Sequence, residues 1–183
     1  DLHILSFIKE GEIFLLYIEK YLMLDDIDYM RMALAEAKLA YDLGEVPIGA
    51  VIVDSVGKII AEGHNLRETK KDATAHAELI AIQRACCCLG KWRLTDLTLY
   101  VTIEPCPMCA GAIVMSRISR VVYGSPDVKA GACESLFNIT GCAALNHRPE
   151  IRSGVLSEEC SNIIRRFFRE RRSNQILSKQ NTS

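Results

Sequence analysis

Two short segments of the chain hold most of its chemistry-bearing side chains. One reads Glu104-Pro105-Cys106-Pro107-Met108-Cys109, and the other, upstream, reads Thr74-Ala75-His76-Ala77-Glu78. Two cysteines three apart admit a redox couple, half of a structural zinc site, or part of a catalytic metal centre. His76, Cys106 and Cys109 together offer three ligands. A structural zinc site closes with four protein ligands, whereas a catalytic one uses three and keeps a place for water. Pro107 presets a helix start just beyond Cys106, and a helix N-terminus favours thiolate. His76 opens a helix of its own, so two helix ends can converge on one ion. Glu78, two residues further on, does not share the helical face of His76 and is a poor fourth ligand. It can still reach a water beside the metal. Two thiolates and a neutral imidazole cancel a dication, so that water is less acidic than under three histidines. A carboxylate that takes its proton and returns it to substrate meets this need, which is hydrolytic chemistry.

Competing readings rest on other residues. A closed four-ligand site would need His64 or one of Cys86, Cys87 and Cys88, and the triplet lies well along the helix from His76. As small apolar residues the three cysteines read as helix filler. A redox pair would want a thioredoxin-like context, which is absent around Met108. His3 and His147 read as surface or structural residues. Glu104, ending an apolar strand, reads as a local hydrogen bonder more than an acid–base group.

The elements that must position these groups follow from the pattern. Ile27, Met30, Leu34, Ala37 and Tyr41 recur at helical spacing, with aspartates at the N-terminal end and Gly44 as a stop. Residues 48–54 and 58–62 predict a hairpin turning at Ser55-Val56-Gly57, and 64–72 a loop. A helix is predicted over about 75–89, a buried strand over 98–103, and a helix from Pro107 to about Ser116. Val121-Val122-Tyr123 predicts a short strand, 124–134 a loop, 150–155 a weaker strand, and Ser157 the start of a last helix. A hairpin followed by alternating helices and strands specifies an α/β domain with helices on both faces of a sheet.

A chain of 183 residues suits one well-buried domain. A formal net charge of -1 argues against binding nucleic acid through the whole surface. Charge is nevertheless polarised. From Ser161 onward Arg165, Arg166, Arg169, Arg171, Arg172 and Lys179 face the single acid Glu170, which suggests a partner at one end. The eight cysteines, three of them adjacent, do not suit a disulfide scaffold and point to a reducing, cytoplasmic compartment. The apolar run 13–18 is too short to span a bilayer and poorly flanked for a signal peptide, so no membrane association is expected. Residues 1–22 read as an N-terminal extension, Met23 as a possible internal start, and 23–183 as a single domain with a basic C-terminal helix.

With both motifs in place the chain resembles the zinc-dependent cytidine/deoxycytidylate deaminase superfamily, whose signature is H-x-E…P-C-x-x-C. Within it the chain is most similar to the bacterial tRNA-specific adenosine deaminases, over roughly 24–172. Segments carrying the resemblance are GEVPIGAVIV (44–53), GHN (63–65), LYVTIEPCPMCAGAI (99–113), VVYGSPDVKAGA (121–132), NHRPEI (146–151) and FFRERR (167–172). The PCPMC form is shared with guanine and cytosine deaminases, while GSPDVKAGA and FFRERR favour a tRNA substrate. The resemblance implies a three-layer α/β/α sandwich around a mixed sheet of about five strands. It implies one zinc per subunit on His76, Cys106 and Cys109, with Glu78 as proton shuttle. It further implies Asn65 hydrogen-bonding a flipped base, Asp127 on a loop near the RNA, and a homodimer served by the apolar helix 108–115. The implied reaction is hydrolysis of adenosine to inosine at wobble position 34 of a tRNA anticodon loop. The C-terminal helix would dock its phenylalanines on the core and turn its arginines to phosphates. A free-base or nucleotide deaminase of guanine or cytosine type is the alternative. A catalytically dead RNA-binding subunit would be expected to lack Glu78. Ala73 where the family often has proline, the N-terminal extension and the cysteine triplet depart from the family pattern.

Overall fold

A computed structural model describes residues 24–180, with side chains as far as Asn174. The expected extension at 1–22 lies outside the described residues. Helix α1 (Asp26–Asp42) opens on a reciprocal cap. The Asp25 carboxylate accepts from the Ile27 and Asp28 amides, and the Asp28 carboxylate accepts from the Asp25 amide. Strands β1 (Gly49–Val53) and β2 (Ile59–His64) form the expected hairpin, with Gly57 at φ +84° in its turn. A one-turn helix α2 (Arg67–Lys70) follows, then α3 (Ala77–Leu89), which stops where Gly90 takes φ +62°. Next come β3 (Thr98–Ile103), α4 (Pro107–Ser116), β4 (Arg120–Ser125), β5 (Glu150–Arg152) and α5 (Ser157–Gln180).

The strands make one mixed sheet in the order β2-β1-β3-β4-β5. The β2–β1 and β1–β3 pairs are antiparallel, and β3, β4 and β5 run parallel. Side chains alternate across it. Ile52, Leu99, Val101 and Val121 point toward α3 and α4, where they meet Ala77, Ala81, Ala85 and Ile113. Val51, Val53, Tyr100 and Val122 point toward α1 and α5 and pack with Tyr29, Met30, Ala33 and Cys160. These are the three layers anticipated above. Helix α3 lies unusually close on β2: a Cβ at Gly63 would stand 2.6 Å from the Ala77 carbonyl oxygen and 2.9 Å from the Ala81 amide nitrogen. Only glycine permits that approach.

Three segments depart most from the sequence-based expectation. The 64–72 segment holds α2, because Thr69 donates its amide to the buried Glu45 carboxylate at 2.6 Å and so finds a cap from outside the loop. Strand β4 is longer than 121–123, since the parallel ladder with β3 carries it from Arg120 to Ser125. Strand β5 is confined to three residues, two of them exposed, as suits a sheet edge.

The sheet end that starts β3 and β4 is held by an ionic cluster. Asp26, at the beginning of α1, takes a bidentate pair from Arg120 (both contacts 2.8 Å), the Tyr100 hydroxyl at 2.7 Å, and Arg152. Arg120 also donates through Nε to the exposed Glu150 at 3.1 Å. The Arg120 guanidinium and the Tyr100 hydroxyl draw the Asp26 carboxyl down to about 2, against the cost of burial.

Candidate metal centre and active site

The opposite end of the sheet carries the candidate ligands. His76 is the residue that caps α3, extended at φ −81° and ψ 152°, and Cys106 caps α4 in the same way at φ −71° and ψ 171°. Neither cap uses its side chain on its own helix, so both project into the space between the two helix starts. Pro107 sits in the first turn of α4, and Cys109, in the same turn, is fully buried. The His76 Nδ1 lies 3.7 Å from the Cys106 Sγ and 3.5 Å from the Cys109 Sγ. All three ligand atoms fall within 4.8 Å of one another, and among the described residues this is the one such His/Cys/Asp/Glu group. The arrangement can hold a metal ion. His64 is not part of it: its Nδ1 pairs with Glu36 at 2.8 Å, at the junction of β2 and α1. Cys86 donates its thiol to the Trp92 carbonyl, and Cys87 and Cys88 are exposed.

The three ligand groups perturb one another's protonation. Hydrogen bonding from Cys109, then from His76, holds the Cys106 thiol down at about 4. The Cys109 thiol is pushed up, first by its bond to Cys106 and then by burial. His76 is raised by its contact with Cys106. Glu78, in the first turn of α3, is 4% exposed and its pKa is raised by burial. Its Oε2 is buried with no hydrogen-bond partner. A carboxylate oxygen so placed costs stability unless something else uses it.

Asn65 follows β2 directly and is 3% exposed. Its Nδ2 points to the Glu45 carboxylate at 3.4 Å, and that carboxylate also accepts the Thr69 amide. Glu45, itself 1% exposed, was not singled out from the sequence. The one hint was an acid in the otherwise apolar stretch that leads into β1.

Asp127 lies beyond the end of β4. Its Oδ1 accepts from the Lys129 and Ala130 amides at 2.9 and 3.2 Å, which shapes the loop locally. It also lines a cavity of about 550 Å³ with Ile48, Lys129, Arg165 and Phe168. The three ligand residues, Glu78 and Asn65 do not line this cavity, so Asp127 is not grouped with them. Glu104 is far more engaged than a local hydrogen bonder. Only 2% exposed, it accepts from the amides of Asp127, Cys133, Glu134 and Ser135 and from the Ser135 hydroxyl. His147 is structural as expected, with Nε2 donating to the Ile118 carbonyl at 2.6 Å.

On α5 the arginines at 165, 166, 169, 171 and 172 are all exposed. Of the two phenylalanines expected to dock, only Phe167 does so. It is 7% exposed and meets Tyr41 edge-on at 5.7 Å. Phe168 remains 40% exposed at the cavity wall. The helix period explains the split, since consecutive residues cannot both face the sheet.

Comparison with known proteins agrees with this geometry. Residues 24–172 match the MafB19-like deaminase family. The chain is 51% identical over 161 residues to the tRNA-specific adenosine deaminase of Bacillus subtilis, covering 88% of this chain and 99% of that one. The Haemophilus influenzae protein of the same name is 48% identical over 84% of this chain and 89% of its own. Among solved structures, a tRNA:A34 deaminase superposes with a TM-score of 0.71 at 44% identity, over 74% of this chain and 97% of that one. A guanine deaminase from Bacillus subtilis is more distant, with a TM-score of 0.52 at 35% identity over 79% of this chain and 92% of its own. With 51% of 161 aligned residues shared across nearly the whole of a curated relative, and the fold and clustered His/Cys/Cys group described above, the chain belongs to the tRNA-specific adenosine deaminase family.

Proposed function

We propose that this chain hydrolyses adenosine to inosine at wobble position 34 of a tRNA anticodon loop, using one zinc ion per subunit. The observation that carries the reading is the pairing of a three-ligand cluster with a buried carboxylate oxygen that has no partner. The donor set suits zinc: a tetrahedral ion with ordinary Zn–N and Zn–S bonds sets its nitrogen and sulfur ligands about 3.6 Å apart. The His76 to cysteine distances of 3.5 and 3.7 Å bracket that value. His76 would bind through Nδ1, and Cys106 and Cys109 as thiolates. Bound there, zinc would supply the Lewis acidity that makes a water nucleophilic near neutral pH.

The remaining steps belong to the protein. Glu78 accepts a proton from the attacking water and delivers it to N1 of the adenine, so that C6 becomes electrophilic as it is attacked. It then takes the proton of the hydroxyl added at C6 and passes it to the departing amine, so that ammonia leaves as the C6 carbonyl forms. Its raised pKa suits a group that must hold the proton between these transfers. Asn65, held by Glu45 through one N–H, keeps its Oδ1 and second N–H for the edge of the flipped base. Asp127 and its loop would stand against the neighbouring nucleotide. A single-stranded loop suits this site, because its bases can be splayed out without melting a duplex. The exposed arginines of α5 supply phosphate contacts.

A homodimer fits the outer face of α4, an apolar helix that leaves Met115 67% and Met108 37% exposed. A cytoplasmic location fits eight cysteines that are all free. No described helix is long and apolar enough to cross a membrane. The decisive assay incubates the purified protein with an anticodon stem-loop and, separately, with free adenosine, guanine and cytosine. Inosine should form in the RNA, and turnover of a free base alone would transfer the protein to the guanine or cytosine type. Metal analysis should give one zinc per chain, removed by chelation together with activity and restored with it.

A further inference from the structure

Residues 126–149 form a stretch without strand or helix between β4 and β5. Segments of that length inside a packed domain are uncommon and need anchoring from outside. Here the anchor is a single carboxylate. Glu104 follows β3 and stands two residues before the candidate ligand Cys106. Its Oε1 accepts three consecutive amides, from Cys133 at 3.1 Å, Glu134 at 2.8 Å and Ser135 at 2.9 Å. Its Oε2 accepts the Asp127 amide at 3.0 Å and the Ser135 hydroxyl. Successive amides turned toward one point make an anion nest, and this nest is filled by the protein's own carboxylate. Two backbone bonds run parallel to it, from Glu104 N to Ser125 O at 2.9 Å and from Ala132 N to Pro105 O at 2.8 Å. Gly131 packs so closely that a Cβ there would come within 2.4 Å of the Glu104 carboxyl carbon.

The consequence is geometric. The same residue that leads into the metal-binding turn also fixes both ends of the 127–135 loop, and the beginning of that loop, Asp127 to Lys129, walls the cavity that Ile103, the residue just before Glu104, also lines. We propose that Glu104 is a positioning residue for the RNA substrate, setting the Asp127–Lys129 wall at a fixed distance from the turn that carries Cys106 and Cys109. It touches neither the reacting base nor the metal. The inference rests on the tRNA reading given above.

Glu104→Gln is close to isosteric and tests the assignment selectively. The amide has one acceptor oxygen, which goes to the three stacked N–H groups of 133–135. Its NH2 then opposes the Asp127 N–H, donor against donor, while the Ser135 hydroxyl can rotate to accept. The variant therefore releases the loop at Asp127. KM for an anticodon stem-loop is expected to rise about tenfold, the effect of losing one charge-assisted bond, with kcat within about threefold and zinc content unchanged. Ser135→Ala, which removes one side-chain donor, should raise KM in the same direction by about threefold. An unchanged KM, or a fall in kcat at constant KM, would overturn the proposal. Loss of zinc would overturn it too, by assigning Glu104 to the metal-binding turn alone. If Glu104→Gln does not fold, the Ser135→Ala KM decides by itself. Failure of the wild-type protein to act on the stem-loop would reject the tRNA reading instead, and is separate from these outcomes.

Discussion

Asp26 and Glu78 are both carboxylates removed from water near a helix start, at opposite ends of one sheet, and they are treated in opposite ways. Asp26 receives two bonds from Arg120, one from Tyr100 and one from Arg152, and its pKa falls to about 2. Glu78 keeps an oxygen with no partner at all, and burial raises its pKa. A satisfied carboxylate ties elements together, here α1 to β3, β4 and β5. An unsatisfied one is a cost to the fold, tolerated where the group must exchange protons. The two carboxylates thus differ in their partners more than in their burial.

Substitutions at each end should break this symmetry in different measurements. The largest effect is expected from Glu78→Gln. Inosine formation should fall by about 10²–10⁴-fold, the usual contribution of a positioned acid–base group, while the unfolding temperature does not drop. A stable variant with full activity would remove Glu78 from the reaction. Asp26→Asn should do the converse. The depressed pKa means the ionised form is favoured in the folded state. Its stabilisation, about 2 kcal/mol, is present above the ordinary carboxylate value near 3.8 and is lost as pH falls through about 2. Urea unfolding should show that loss at neutral pH, a flatter acid limb in the variant between about 4 and 2, and unchanged turnover per folded molecule. The smallest effect is expected at Glu150, which pairs with the same Arg120 but leaves 69% of its side chain exposed. Glu150→Gln should cost well under about 1 kcal/mol. Equal losses at Glu150 and Asp26 would show that burial of the partner is not what matters.

The two ends also differ in how far the sequence revealed them. The candidate metal centre was legible because its parts are local: each segment begins a helix, and Pro107 marks one of those starts. What spacing could not say is that His76 presents Nδ1, or that His64 is committed to Glu36. The Asp26 cluster was read only as a favourable helix start. Its partners come from β3, β4 and β5, up to 126 positions away, and no local pattern encodes them. Glu104 was expected to bond locally, but its partners lie 23 to 31 positions further on. Glu45 was missed for the same reason, since its value lies in reaching Asn65 and Thr69 across the sheet end. The layers themselves were recoverable, because apolar periodicity records which face each element buries.

Gly63 shows that the mutational target of the candidate site extends past the residues that would do its chemistry. A methyl on this strand residue would collide with the carbonyl of Ala77 and the amide of Ala81, in the first turns of the helix that His76 opens. The helix would have to lift from the sheet, taking the imidazole and Glu78 with it. Packing alone thus constrains a position that supplies no ligand atom of the His76, Cys106 and Cys109 cluster. Neutral drift there is closed off by backbone geometry, and loss-of-function substitutions should be found at Gly63 as readily as beside the reacting atoms.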